Sequence, residues 1–380
     1  MKKYFASILV AVAIILPPGI RASGQLANVE YVHLAIEQAS GISIPWHPAV
    51  SSKQVANLEY LLSVIDMANL EAGKLTQYRF HTSSMKQAVN TTAVHMAIDS
   101  LLAADPENPR TPGSVILMIG DGMGINHVNC SGGYISTLPV SAWVSTDPAD
   151  CTQWWCITDS AAATTAYSCG IKTNNNFLAM NPSKIPCETV AQRAARAGYR
   201  SVIASNDSLT GATPAAFFAH TTRHEPEVIL EWLALAPPMI TVGSLVSPAA
   251  YTEQLISQYN SGEGENGLIN GKPFFWMIEE AAIDWTSHYN DLPAMLARMD
   301  DFNDAVQAAV AFVGQNPEIT LIIAGDHETG GLTENCVFTD LGHTGVDVPL
   351  YAFGEHAALF TGGVIPNDEV GRRIRRIIFP

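Results

Sequence analysis

Ser160 heads the stretch Thr158-Asp159-Ser160-Ala161-Ala162-Ala163-Thr164-Thr165-Ala166, a run of small, helix-favouring residues that Gly170 ends. That composition predicts a serine in the first turn of a helix, where free backbone N–H groups and the positive dipole end favour an anion. A serine hydroxyl attacks poorly unless a base or a metal stabilises its alkoxide. No GxSxG elbow of the α/β-hydrolase kind is present. An Asp-Ser pair can also be a plain helix cap, so the serine needs reactive company elsewhere in the chain.

That company exists. Asp121 lies between glycines in Ile119-Gly120-Asp121-Gly122-Met123-Gly124, with room for a ligand beside the backbone. Asp284 and His288 are four residues apart, so one helical turn brings them together. An Asp/His pair suits zinc, whereas nearby Glu279, an oxygen donor, suits magnesium. In Ile322-Ile323-Ala324-Gly325-Asp326-His327-Glu328, an apolar run delivers Asp326 and His327 into a glycine-rich loop. His343 follows in Leu341-Gly342-His343-Thr344-Gly345; alone it would be structural. Thr213 offers a hydroxyl and Arg223 a guanidinium whose planar fork matches two oxygens of a phosphoryl group.

The elements that must position these groups are legible from Ser114 onward. Val115 to Ile119 reads as a buried strand, as do Arg200 to Ala204, Phe274 to Ile278 and Thr320 to Ala324. Helices are predicted from about Glu188 to Ala197 and from about Pro293 to Val313. Short apolar strands alternating with helices imply a mainly parallel sheet covered on both faces. In such sheets function gathers at the carboxyl ends of strands, where Asp121, Glu279, Asp284 and Asp326 fall. The basic run Arg372 to Arg376 reads as a solvated helix face.

Upstream, residues 1–23 read as a secretory signal. Lys2 and Lys3 precede an apolar stretch from Phe5 to Leu16, then Pro17 and Pro18, and the stretch is too short to span a membrane. Residues 24–113 form a helical extension ending in a Pro-rich linker, and residues 114–380 the catalytic domain. The expected mature protein is periplasmic or secreted, without a membrane span. The chain has 380 residues, 47% hydrophobic and 15% charged, enough for a large core. Its net charge of -16 excludes nucleic-acid binding through basic patches. It also means that an anionic substrate needs a locally positive site. Of the six cysteines, Cys151 and Cys156 can close a small loop and Cys169 reads as buried and reduced. None shows zinc-thiolate spacing.

Taken together, these motifs resemble those of the alkaline phosphatase family, in the family's order, from Ser114 to Gly362. The resemblance implies an α/β fold with a largely parallel central sheet flanked by helices on both faces. It also implies little or no crown insertion, since the loop between His327 and His343 is short. The implied activity is hydrolysis of small phosphate monoesters through a phosphoserine at a site of two zinc ions and one magnesium. By resemblance, Asp284, His288 and His343 hold one zinc, and Asp326, His327 and Asp121 hold the second, beside Ser160 as nucleophile. Asp121 bridges to the magnesium, which Thr213 and Glu279 also hold, and Arg223 clamps the non-reacting phosphate oxygens. Family members are commonly homodimers.

The chain departs from its relatives at three places. Only ten positions separate Thr213 from Arg223, fewer than is usual, which shifts the arginine's expected placement. Gly211 stands where relatives carry an acidic or histidine residue near magnesium, and Trp285 where some carry lysine. Two other functions compete. A phosphodiesterase of the same superfamily is disfavoured because Glu279, Thr213 and Arg223 occur together. A non-catalytic phosphate- or metal-binding protein leaves Asp159-Ser160 unexplained.

Overall fold

The computed structural model describes residues 112–152, 156–233, 235, 239–244, 246–261 and 273–379. The expected signal sequence, the expected helical extension and most of the expected linker lie outside the described residues.

Among the described residues, ten strands and nine α-helices follow one another. The first part comprises β1 (Ser114–Gly120), α1 (Ile125–Ser131), β2 (Ala142–Ser145), α2 (Ser160–Cys169), α3 (Val190–Arg196), β3 (Arg200–Ser205) and α4 (Ala212–Ala215). Next come α5 (Glu227–Leu233), β4 (Met239–Val242), α6 (Pro248–Ser261), β5 (Phe274–Glu280), α7 (Ala282–His288), α8 (Leu292–Gln315) and β6 (Ile319–Gly325). The chain closes with β7 (Glu328–Thr329), β8 (His343–Thr344), β9 (Val348–Phe353), β10 (Val364–Pro366) and α9 (Asn367–Ile378). Eight strands form one sheet in the order β10-β2-β9-β6-β1-β5-β3-β4, and β7 pairs with β8. Every pairing in the large sheet is parallel except those of β9, which runs antiparallel to β2 and β6.

The central strands are apolar along their whole length because both faces are covered. Side chains alternate between faces with period two. Ile116 and Met118 of β1, Trp276 and Ile278 of β5, and Leu321 and Ile323 of β6 therefore pack on Met295, Met299 and Phe302 of α8. Val115, Leu117 and Ile119 of β1 join Phe275, Met277 and Ile322 on the opposite face, against α3 and α9. Each fully buried side chain of this size contributes about 1.5–3 kcal/mol. With β6, β1 and β5 side by side, their carboxyl ends lie next to one another.

The C-terminal helix corrects one expectation. Arg375 is buried, donating to the Glu188 carbonyl at 2.9 Å, and Arg372 pairs with Asp368 and Glu369 while donating to the Gly170 carbonyl. The basic run is thus only partly a solvated face, with Arg376 exposed, because Val370, Ile374 and Ile377 bury α9 against the sheet. Gly371 allows α9 to touch α2, since a Cβ there would lie 2.2 Å from the Ala166 carbonyl oxygen.

Among the described cysteines, Cys151 and Cys156 form the small disulfide loop, and Cys130 bonds to Cys336. The latter pairing, 206 residues apart, had no sequence signal. Cys169 and Cys187 are buried and belong to no disulfide.

Candidate functional site

Ser160 opens α2 as the sequence leads one to expect. Asp159 is the N-cap and its carboxylate accepts from the Ala162 N–H at 2.9 Å, while Gly170 closes the helix in the left-handed conformation. The helix is buried along its length, and the Tyr167 hydroxyl donates to the Gly325 carbonyl at 2.7 Å. That bond fixes α2 to the end of β6, and so sets Ser160 against the loop carrying Asp326 and His327.

Two three-residue groups with metal-ligand chemistry stand here, Asp284 with His288 and His343, and Asp121 with Asp326 and His327. In the first, Asp284 Oδ1 lies 3.3 Å from His288 Nε2 and 3.5 Å from His343 Nε2. Both imidazoles are held from behind: His288 Nδ1 bonds the Leu341 carbonyl at 2.5 Å, and His343 Nδ1 bonds the Thr158 carbonyl at 2.8 Å. A carbonyl can only accept, so each Nδ1 carries a proton and each Nε2 edge is turned inward, the orientation in which a histidine binds a metal once Nε2 is deprotonated.

In the second group, His327 Nε2 lies 3.4 Å from Asp121 Oδ1, 3.3 Å from Asp326 Oδ2 and 3.2 Å from Ser160 Oγ. The His327 ring is wholly buried, and burial first, then the charge of His343, holds its pKa well below the ordinary value. Thr329 Oγ1 donates to Asp284 Oδ1 at 2.5 Å and so accepts from His327 Nδ1 at 3.2 Å. His327 is therefore neutral with its Nε2 lone pair directed at two carboxylates and a hydroxyl. Gly122 makes the approach possible: its φ is +75°, a Cβ there would lie 2.9 Å from Asp284 Cα, and its N–H donates to Asp326 Oδ1. Rings of His327 and His343 stack with centroids 3.6 Å apart, so the two groups adjoin.

A third set branches from Asp121. Its Oδ2 accepts from Thr213 Oγ1 at 3.3 Å, while Oδ1 faces His327. Glu279, the last residue but one of β5, lies in the same region, 1% exposed, its pKa pushed up to about 8 chiefly by burial, with the charges of Asp207 and Asp326 adding to it. Burial likewise raises Asp121 well above the carboxylate range and Asp326 to about 7. Asp284 is also buried, yet the hydrogen bond from His288 and the nearby histidines outweigh burial and lower it.

These groups fit cations on an observation independent of sequence. Asp121 Oδ1, Asp326 Oδ2 and Glu279 Oε2 are buried acceptors without a hydrogen-bond donor. Such atoms cost roughly 1–3 kcal/mol each, more when charged, and bound divalent cations satisfy them.

Arg223 completes the set despite its shortened spacing from Thr213. Its guanidinium donates to Asp159 Oδ2 at 3.2 Å, beside the serine. Every site residue named from the sequence is thus gathered around the carboxyl ends of β6, β1 and β5. Sequence reasoning missed Thr329, which links the two groups, and Glu328, which accepts from Leu332 N at 2.9 Å and from Thr344 Oγ1 and so holds β7 to β8. It also missed the Thr158 and Leu341 carbonyls, which as main-chain atoms leave no residue-type signal.

A hydroxyl at a helix start, facing two carboxylate–imidazole groups, one of them wholly buried, at the carboxyl edge of a doubly covered sheet, is an arrangement suited to metal-assisted hydrolysis. The family model for alkaline phosphatase matches residues 113–230 and 269–339. Over 302 residues the chain is 27% identical to an alkaline phosphatase of Schizosaccharomyces pombe, covering 58% of this chain and 57% of that one. Alkaline phosphatase 4 of Bacillus subtilis is 25% identical over 289 residues, covering 58% and 62%. The chain thus spans about three-fifths of the length of these relatives. The structure of alkaline phosphatase from the Antarctic bacterium TAB5 superposes with a TM-score of 0.60 at 21% identity, over 71% of this chain and 98% of that one, a likeness of fold. Residues 113–230 and 269–339 thus form a domain of the alkaline phosphatase family.

Proposed function

We propose that the protein hydrolyses phosphate monoesters, Ser160 first taking the phosphoryl group and water then releasing it as inorganic phosphate. The observation that carries this reading is Ser160 Oγ 3.2 Å from His327 Nε2, next to the donor-less Asp121 Oδ1 and Asp326 Oδ2. Asp284, His288 and His343 would hold one zinc, Asp121, Asp326 and His327 a second, and Asp121, Thr213 and Glu279 a magnesium. When bound, these ions would make the serine hydroxyl acidic and neutralise charge on the phosphoryl oxygens.

The protein's own groups do the rest. α2 directs its N-terminal N–H groups toward the anion. Asp159 holds both the helix start and the Arg223 guanidinium, so nucleophile and clamp share one anchor. Positioning of this kind supplies a large part of the rate in phosphoryl transfer. Trp285 and Tyr289, 42% and 84% exposed beside the partly exposed His288, leave the leaving-group side open. That openness supports broad specificity for the alcohol.

Two disulfides support export to an oxidising compartment. Among the described residues no helix is long and apolar enough to cross a membrane. We place the mature protein in the periplasm or outside the cell and include homodimer formation in the proposal.

The test is a paired assay of p-nitrophenyl phosphate and bis(p-nitrophenyl) phosphate with metal analysis of the same preparation. The expected result is strong preference for the monoester, with zinc and magnesium present. Preference for the diester, or a metal-loaded protein inert to both, contradicts the reading.

A further inference from the structure

The proposed chemistry leaves Asp207 unused, although it stands in the turn between β3 and α4, two residues past the register partner of Glu279. β3 ends at Ser205, whose register partner on β5 is Glu279. The chain then turns back, with the Asp207 N–H donating to Ser205 Oγ at 2.8 Å. Gly211 is the N-cap of α4, which carries Thr213. A Cβ on Gly211 would lie 1.9 Å from Asp207 Oδ2, so the carboxylate fills the space a side chain at 211 would take. Asp207 Oδ1 accepts from Ser208 N at 2.6 Å, which leaves Oδ2 on the side of Gly211.

What this carboxylate serves follows from its neighbours. Glu279 Oε2 is buried without a donor, and Asp121 shares its Oδ2 with Thr213. The charge of Asp207, like that of Asp326, bears on Glu279 and raises its pKa. Arg223, whose charge Asp207 also feels, is already paired with Asp159. Carboxylates gathered in a buried place repel unless a cation joins them. An all-oxygen set with a hydroxyl suits a hard cation that keeps part of its water shell.

We propose that Asp207 is a further oxygen donor of the third cation site, acting on the ion or its water from the space Gly211 leaves open, and that the ion is of the magnesium type. The proposal rests on the reading that Asp121, Thr213 and Glu279 hold that ion. Gly211 and Asp207 then form one compensating pair, with the carboxylate delivered from the β3 turn instead of from the helix cap.

The experiment titrates Mn2+, as a spectroscopic probe, into the zinc-loaded full chain and follows free Mn2+ by electron paramagnetic resonance. It compares the wild type with Asp207→Asn, Glu279→Gln and the double variant Asp207→Ala/Gly211→Asp. Asp207→Asn is expected to weaken Mn2+ binding about tenfold to a hundredfold, with zinc content and Tm unchanged. The double variant, which returns a carboxylate from position 211, is expected to recover most of that loss. Wild-type Mn2+ affinity in Asp207→Asn, with loss in Glu279→Gln, overturns the role of Asp207 and leaves the site standing. Zinc lost together with Mn2+ in Asp207→Asn overturns it too, since the residue would then act through the fold. Unchanged Mn2+ binding in Glu279→Gln overturns the site itself.

Discussion

The His343 imidazole donates through Nδ1 to the carbonyl of Thr158, 2.8 Å away, which ties a ligand-type histidine to the residue two places before the nucleophile. One hydrogen bond thus sets the ring's inward Nε2 edge and the path of the chain into α2. His343→Ala is expected to lose about one zinc equivalent and to speed amide hydrogen exchange across Thr158 to Ser160. Full metal content with unchanged exchange there would remove His343 from the site.

Arg223 is held by Asp159 rather than by a partner across the sheet. Removing a charge-assisted contact of about 1.5–3 kcal/mol should lower kcat/KM about tenfold to a hundredfold. Arg223→Ala should also weaken inhibition by inorganic phosphate, and Arg223→Lys should recover only part of each because the planar fork is lost. Kinetics and phosphate inhibition of the two variants check this. Wild-type values in Arg223→Ala would assign the clamp elsewhere.

The stripped protein should lose stability as pH rises above neutrality. Burial raises Glu279 to about 8 and Asp326 to about 7, and the hydrogen bond to Asp284 raises His288 to about 9. Each folded-state pKa exceeds its unfolded value, so each contribution is complete below the unfolded pKa and lost as pH climbs through the folded one. His127, lowered to about 4 by burial, and His327 act in the opposite sense, but only up to their unfolded value of 6.5. Between pH 6.5 and about 9 the losses therefore stand unopposed. Metal binding needs deprotonated ligands and strengthens over the same range. Melting in EDTA should show Tm falling from pH 6.5 to 9, with a widening gap to the metal-loaded protein; parallel curves would contradict the cause given.

The Cys130–Cys336 bond joins the end of α1 to the segment between β7 and β8, the strands that bear His327's neighbour and His343. Cys130→Ala/Cys336→Ala should destabilise the protein by about 2–4 kcal/mol, with metal release at lower temperature. Denaturant unfolding with metal analysis tests this, and wild-type stability would count against it.

How far the sequence carried the account depends on where each signal lay. The parallel strands β1, β3, β5 and β6 were legible because burial on both faces makes their sequences continuously apolar. Strands β2, β9 and β10 were not assigned: β2 and β10 are short, and β9 carries Pro349 in an antiparallel place. Asp284 and His288 were legible as a pair because a helical turn brings residues four apart together. Asp207 left no motif, since its place depends on space that a glycine four residues later leaves free. The α9 arginines misled because charge was read without the isoleucines that bury the same helix.

The central claim is that the Ser160 hydroxyl itself carries the phosphoryl group. Brief incubation with a phosphomonoester, an acid quench and peptide mass spectrometry test it most directly. The account predicts one added phosphoryl group on the peptide containing Ser160. It predicts none in Ser160→Ala, whose turnover falls on the order of a thousandfold or more while zinc content stays at the wild-type level. Wild-type turnover in Ser160→Ala, or phosphoryl label on another residue, would contradict it.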